Sequence, residues 1–383
     1  MKTAVHGVVV AGGDGILAGL GVAGDAALTP FAGKYRFIDF ALASLAHAAV
    51  DRLDVAAPGP GTLLRAHLAG AARGASNLRR RLPTRIAGSF AGSRPERIAG
   101  ALLGCRPLDT PAVTVVVTAD HVLQLDVRRL LATHRRLGAD VTLCTVPVAA
   151  CEVGDRVAVD VGSSGRVRGV VRAPTGLVSL WTGDVVVSAG ARAMLSAFSI
   201  SGDVPLALDA LARQLTIAAA DVDGFWHEPV SVEAYYDAQM NLCTPRPQLD
   251  LYDPNWPVCP VGGPYGPAKV VADAAGRLGQ ALNSLVSDGA LVHGGAVFNT
   301  VLGHGVVVES GAEVEDSVLL DGCRVGRMAR VRRAVVGVGA VIGDAGEIGF
   351  GPSPAPPART LASGLTIVPP TFEAALAVAG AAR

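Results

Sequence analysis

An apolar side chain returns every five or six residues from Leu291 through Val297, Leu302, Val308, Val314, Leu319, Val325, Val331, Val336 and Ile342 to Ile348. Few folds sustain that beat. An antiparallel sandwich alternates with period two and would lose a six-residue phase quickly. A three-sided coil of roughly 17–18 residues keeps it, with one inward side chain per face and Gly or Asp at the corners. Asn299-Thr300-Val301-Leu302, Asp316-Ser317-Val318-Leu319 and Arg333-Ala334-Val335-Val336 mark the same face of successive coils. The stretch from about 285 to 350 is therefore expected to form a left-handed parallel β-helix. Solenoids need covered ends. The residues from Val368-Pro369 through Ala382 are expected to cap one end as a helix or to fray.

From Met1 to about Met240 the pattern is different. Apolar runs at 5–10, 53–56, 112–118, 141–147, 156–161, 168–172 and 184–188 read as strands. Helical patterns fill 39–49, 61–72, 95–103, 126–137, 190–198, 205–213 and 231–241. Such alternation argues for a mostly parallel α/β sheet with helices on both faces. Asp126 is expected to cap the helix through His134, and Ser231 to open the one containing Ala234-Tyr235. The first strand, Val8-Val9-Val10, runs into Ala11-Gly12-Gly13-Asp14-Gly15. Ligands of open α/β sheets sit at the carboxyl ends of strands, and glycine-rich turns let backbone N–H groups approach phosphates. Ala11, Gly12, Gly13 and Gly15 are thus candidate nucleotide contacts. The loop fits neither the Walker spacing nor the dinucleotide fingerprint, so an ordinary strand-to-helix turn is the alternative.

Between these regions prolines crowd together at 245, 247, 254, 257, 260 and 264. They forbid long helices. The segment reads as an interdomain connection partly packed through Tyr252 and Trp256. The expected division is an α/β domain over 1–241, a Pro-rich connector over 242–284, and the β-helix with its tail over 285–383.

The 383 residues carry 33 Lys plus Arg against 33 Asp plus Glu, so no long-range attraction to nucleic acid or anionic membrane is expected. Only Lys2, Lys34 and Lys269 are lysines. Six cysteines without C-x-x-C pairs exclude a zinc site or a disulfide framework as the expected reading. No uncharged apolar run reaches ~18 residues, and the N-terminus enters a strand with no signal-like segment. A cytoplasmic location is expected.

Four stretches resemble the sugar-nucleotide pyrophosphorylases, and among them the bacterial glucose-1-phosphate adenylyltransferase (ADP-glucose pyrophosphorylase) family. Pro30-Phe31-Ala32-Gly33-Lys34-Tyr35-Arg36-Phe37-Ile38-Asp39-Phe40 is similar to that family's Pro-Phe-Gly-Gly-Lys-Tyr-Arg-Leu-Ile-Asp-Phe. Ala119-Asp120-His121-Val122 stands where the family has Gly-Asp-His-Ile. Tyr252-Asp253-Pro254-Asn255-Trp256-Pro257, with Pro267-Ala268-Lys269 beyond it, resembles its connector, and Val308 through Leu319 its β-helix. The resemblance implies a Rossmann-like nucleotidyltransferase domain followed by a left-handed parallel β-helix. It also implies attack of glucose 1-phosphate on the α-phosphorus of ATP, giving ADP-glucose and pyrophosphate. Such a step needs cations about the triphosphate and Mg²⁺ held by carboxylates. Asp120 and Glu228 are the implied metal-holding and catalytic carboxylates, with Lys34 the implied catalytic lysine. The family's oligomeric habit implies a homo-tetramer or a hetero-oligomer with an active paralogue.

The chain departs from the family where polyphosphate is handled. The family's Gly-Gly-x-Gly-x-Arg-Leu is here Gly12-Gly13-Asp14-Gly15-Ile16-Leu17-Ala18, and its Arg-Ala-Lys-Pro is Gly24-Asp25-Ala26-Ala27. Its Gly-Thr-Ala-Asp-Ala corresponds to Arg97-Ile98-Ala99-Gly100-Ala101. Its Glu-Lys sugar clamp corresponds to Arg172-Ala173, and its Asp-Val-Gly-Thr to Glu228-Pro229-Val230-Ser231. At about 1.5–3 kcal/mol per charge-assisted contact, three losses remove on the order of 10³-fold or more. Arg36, Arg52 and Arg65 are the nearby cations left to substitute.

The leading expectation is therefore a catalytically silent or weak regulatory subunit. Its rival is an active nucleotidyltransferase with a relocated clamp. A third reading, a hexapeptide-repeat acyltransferase, would need a histidine base, and His293 and His304 are expected in solvated corners. Lys34-Tyr35-Arg36 is expected to order its loop and pair with Asp39. Asp120 reads equally as a helix-start cap. Arg324, Arg327, Arg330, Arg332 and Arg333 are expected on a solvated face, an anionic effector site being the alternative.

Overall fold

β1 (Ala4–Val10) contains three consecutive valines and is buried at every position after the first. A strand covered on both faces needs that composition, and it belongs to the middle of a parallel sheet. The structure is a computed structural model. It describes residues 3–13, 15–22, 25–58, 61–74, 86–89, 92–106, 112–192, 194–195, 204–260, 265–351 and 357–370. The chain divides into two units, one of Met1–Gly13, Ile38–Glu228 and Pro254–Cys259, the other of Asp14–Phe37, Pro229–Asp253 and Pro260–Arg383.

In chain order the elements after β1 are β2 (Pro30–Phe31), β3 (Tyr35–Arg36), α1 (Phe37–His47), β4 (Arg52–Pro58), α2 (Thr62–Gly74), β5 (Ile86–Ser89) and α3 (Arg94–Gly104). β6 (Ala112–Thr118), β7 (Val122–Leu123), α4 (Val127–Arg136), β8 (Val141–Ala149), β9 (Ala158–Val161) and β10 (Val167–Val170) follow. β11 (Leu177–Val187), β12 (Ile217–Asp221) and β13 (Trp226–His227) complete the first unit's strands. Its main sheet runs β10-β9-β11-β6-β1-β4-β5, with β8 beside β11 and β12 beside β8. The run β6-β1-β4-β5 is parallel, and β11 joins it antiparallel to β6. β12 escapes sequence reading because Ile217-Ala218-Ala219-Ala220-Asp221 is poor in β-branched residues. Its parallel pairing with β8 decides the matter. The Asp126 cap is present, its carboxylate accepting from Arg128 N at 3.0 Å. In the connector, Trp256 stacks on His47 at 4.2 Å. Tyr252, expected to be packed, is instead 80% exposed. The expected helix at 190–198 lies partly outside the described residues.

In the second unit three ladders of parallel strands wind into the β-helix. One ladder aligns Val270, Val292, Val308, Val325 and Ile342. A second aligns Ala281, Val297, Val314, Val331 and Ile348, and the third carries Leu302, Leu319, Val336 and Val368. Val297, Leu302, Val308 and Val314 are completely buried, each contributing about 1.5–3 kcal/mol relative to exposure. Leu291 is only half-buried, and its neighbour Val292 points inward instead. Asn299, Asp316 and Arg333 turn one corner with φ of 43–48°, a region that Asn and Asp enter more easily than most residues. Val368, expected to begin a cap or tail helix, ends a strand paired with Val336, and the chain beyond Pro370 lies outside the described residues. The helix Val232–Leu242 begins at Ser231, whose hydroxyl accepts from Ala234 N at 3.1 Å. It holds the β2–β3 hairpin through Tyr235 Oη, which donates to Pro30 O at 2.8 Å, and Gln239 Oε1, which accepts from Ala32 N at 3.0 Å.

Candidate functional site

Strand ends set the site. β1 and β6 run parallel and finish together, and the Ala119 N–H closes the pair on the Val10 carbonyl at 2.9 Å. Asp120 and His121 leave this carboxyl edge. β7 then pairs antiparallel with β13, Leu123 opposite Trp226 and Val122 opposite His227, which delivers Glu228 to the same place. α3 supplies the third component. Its start is fixed by Glu96, whose carboxylate accepts from Ser93 N at 2.7 Å and Ser93 Oγ at 2.9 Å. Arg94 and Arg97, three residues apart, therefore leave the same face of its first turn.

The result is a chain of ion pairs. Asp120 Oδ2 accepts from Arg94 Nε at 2.9 Å and from Arg97 Nη2 at 2.7 Å. Glu228 Oε1 accepts from Arg94 Nη2, and its Oε2 from Arg156 Nη1 at 3.3 Å. Asp120 Oδ1 meets His121 Nδ1 at 3.2 Å, while His121 Nε2 lies 3.2 Å from Asp184 Oδ2. Asp184 is completely buried and accepts from Thr118 N at 2.9 Å and Thr182 Oγ1 at 2.7 Å.

Burial opposes all these charges, and the partners overcome it. Burial lowers the His121 pKa, but Asp184 and Asp120 raise it to about 9, so the imidazole is cationic at neutral pH. Burial raises Asp120, yet Arg94, His121 and Arg97 hold its carboxyl well below the usual carboxylate range. Arg94 is lowered by burial and raised, on balance, by Asp120 and Glu228.

The glycine loop is covered by the same arginine set. Gly12 and Gly13 have φ of 112° and 96°, which favours glycine. A Cβ on Gly13 would lie 3.2 Å from both Nη atoms of Arg97, and one on Gly12 3.1 Å from its Cδ. The N–H of Ala11 is spent on the Ala56 carbonyl at 2.8 Å. Asp120 and Glu228 thus come together through Arg94, with Gly12 and Gly13 beside Arg97. Gly15 and Lys34 belong to the second unit. There Lys34 Nζ lies 3.5 Å from Asp288 and Arg36 pairs with Asp321. Asp39, named as the partner of this loop from the sequence, meets His67 at 2.8 Å.

Sequence reading expected a cleft stripped of cations, with Arg36, Arg52 and Arg65 as substitutes. The structure corrects both points. Arg36 and Arg52 are bound to Asp321 and Asp54, and Arg65 is exposed on α2. Among the described residues, Arg94, Arg97 and Arg156 bring guanidinium groups to Asp120 and Glu228. The i, i+3 spacing behind Ser93 and Glu96 was the readable signal for two of them; Arg156, from a loop, had none. Arg172 is tied to Asp209 at 2.7 Å. His304, expected in a solvated corner, is 5% exposed and stacks on Tyr265 at 4.7 Å. His293 is half-exposed, 3.8 Å from Glu309.

The donor set does not fit a resident Mg²⁺. Octahedral coordination needs carboxylate oxygens with open lone pairs, whereas Asp120 Oδ2 and both Glu228 oxygens already accept from guanidinium groups. Among the described residues no group of three or more His, Cys, Asp or Glu side chains is arranged to hold a metal. No helix among them is long and apolar enough to cross a membrane.

The profile of the family described as "GlmU-like, C-terminal hexapeptide" matches residues 266–367. Curated proteins named glucose-1-phosphate adenylyltransferase are similar over most of their length. The one from Frankia casuarinae is 31% identical over 368 residues, covering 87% of this chain and 89% of that protein. The one from Parafrankia sp. is 31% identical over 382 residues, covering 90% and 92%. That from Anaeromyxobacter sp. is 28% identical over 352 residues, covering 80% and 83%.

Proposed function

The chain belongs to the glucose-1-phosphate adenylyltransferase family, and from that premise we propose that it is a catalytically silent or weak regulatory subunit. It works in cytoplasmic α-glucan synthesis, either as a homo-tetramer or as a hetero-oligomer with an active member of the family. The observation that carries the reading is Arg97 lying over Gly12 and Gly13. A phosphate cradle works by leaving backbone N–H groups open to anionic oxygens, and here a buried guanidinium anchored to Asp120 takes that space.

The family's reaction joins a sugar phosphate oxygen to the α-phosphorus of ATP and expels pyrophosphate. When bound, Mg²⁺ offsets the phosphoryl charge of such a step. In this chain Asp120 and Glu228 orient arginines, not a metal. His121, protonated between Asp120 and Asp184, fixes the Asp120 carboxylate from behind. Lys34, 3.5 Å from Asp288, keeps the loop after β2 in place.

The charge in the cleft favours a second reading. Three guanidinium groups around Asp120 and Glu228 are positive charge of the kind a triphosphate needs. An active enzyme making ADP-glucose would use them by turning them from the carboxylates toward ATP. The test is pyrophosphate release by the purified chain from ATP, Mg²⁺ and glucose 1-phosphate. No release above background is expected from the chain alone, with a changed effector response when an active paralogue is added. Robust turnover by the chain alone would establish the second reading.

A further inference from the structure

Arg94 stands in a cage of oxygens. Its Nε donates to Asp120 Oδ2 at 2.9 Å, its Nη1 to the Thr182 carbonyl at 3.1 Å and its Nη2 to Glu228 Oε1. Carboxylate and carbonyl oxygens converging on one positive centre are the surroundings a hard divalent cation selects. In this chain a side chain brings the charge. The backbone is shaped to admit it: β11 shifts register between Trp181 and Val185, and Gly183 inside that shift has φ 101°. A Cβ on Gly183 would collide with Arg94 Cδ and lie 3.1 Å from its Nε. Arg97 on the same Asp120 oxygen and Arg156 on the far oxygen of Glu228 add two more cations that an entering metal would meet.

We propose that Arg94 is a built-in replacement for a divalent cation, its guanidinium holding the space between Asp120, Glu228 and the Thr182 carbonyl. The cleft rejects Mg²⁺ and Mn²⁺ while Arg94 is present, and becomes an oxygen-lined divalent site when that group is removed. This concerns the same cleft as the proposed function but does not rest on it, since it holds for a silent chain and for a slow enzyme alike.

The test is Mn²⁺ binding to the full chain, read by the paramagnetic resonance of free Mn²⁺ and by thermal unfolding with and without the ion. The wild type is compared with Arg94→Ala, Arg94→Gln and Arg94→Ala/Asp120→Asn. At least a ~10-fold tighter Mn²⁺ affinity is expected in either single variant, equivalent to about 1.4 kcal/mol, and it should vanish in the double variant. A single variant that folds only with Mn²⁺ supports the proposal equally. It is overturned if the wild type binds Mn²⁺ as tightly as the single variants, or if folded single variants gain nothing. It is also overturned if both single variants stay unfolded with and without Mn²⁺. Pyrophosphate release does not enter, so this inference and the proposed function fail separately.

Discussion

Arginine meets carboxylate in both units, and the consequences differ. On the β-helix the pairs are rungs between coils: Arg324 with Glu309 at 3.2 Å, Arg330 with Glu313 at 3.5 Å, Arg332 with Glu315 at 3.9 Å. The Arg324 and Arg332 side chains are more than half exposed, at 57% and 56%. In the cleft the Arg94 and Arg97 side chains are 18% and 7% exposed, and that of Asp120 is 11% exposed. Water screens the rungs, so each contributes about 0–1 kcal/mol. In the cleft desolvation has already been imposed, so removing one partner leaves the others charged and dry. Exposure separates an ornamental ion pair from one the fold depends on. It also accounts for Arg324, Arg330 and Arg332, whose charge is matched by Glu309, Glu313 and Glu315 on neighbouring coils.

The comparison breaks first at Asp120. Asp120→Asn is expected to destabilise its unit by about 3–5 kcal/mol, measured as a lowered denaturant midpoint; a loss under ~1 kcal/mol would put the cleft in the same class as the rungs. A smaller effect is expected from pH. The His121 pKa is raised to about 9 in the fold, above the ordinary imidazole value of about 6.5. Its stabilisation is therefore full below about pH 6.5 and disappears as pH rises through about 9. A loss of about 3 kcal/mol, at roughly 1.4 kcal/mol per pKa unit, should appear as a falling melting temperature on the alkaline side, and His121→Gln should flatten that fall. The smallest effect sharpens the other side of the comparison. Glu315→Gln should cost under ~0.5 kcal/mol, and the cost should vanish in about 1 M salt.

Periodicity made the β-helix legible, because an inward side chain on each face imposes a spacing that few folds keep. The one slip, Leu291 for Val292, arises because two adjacent apolar residues satisfy the same beat and only backbone placement decides between them. Strands of the first unit were readable where valines accumulate, as in β1 and β6, and not at the alanines of β12. In the cleft, Asp120 and Glu228 could be located by likeness of motif. Their pairing with Arg94, Arg97 and Arg156 could not, since these reach them from other elements, 26, 23 and 72 positions away in the chain. Loss of cations at the expected positions is a reading of the letters alone. Their return from α3 is a fact of tertiary structure.

Each bond from one coil to the next spans nearly the same length of chain: Asn299 to Asp316, Thr300 to Ser317 and His304 to Asp321 are all 17 residues apart. Growth or shrinkage of this region is therefore quantised. Excising one whole turn of the winding rejoins like with like, whereas losing a single residue rotates an entire downstream ladder and sends its valines into water.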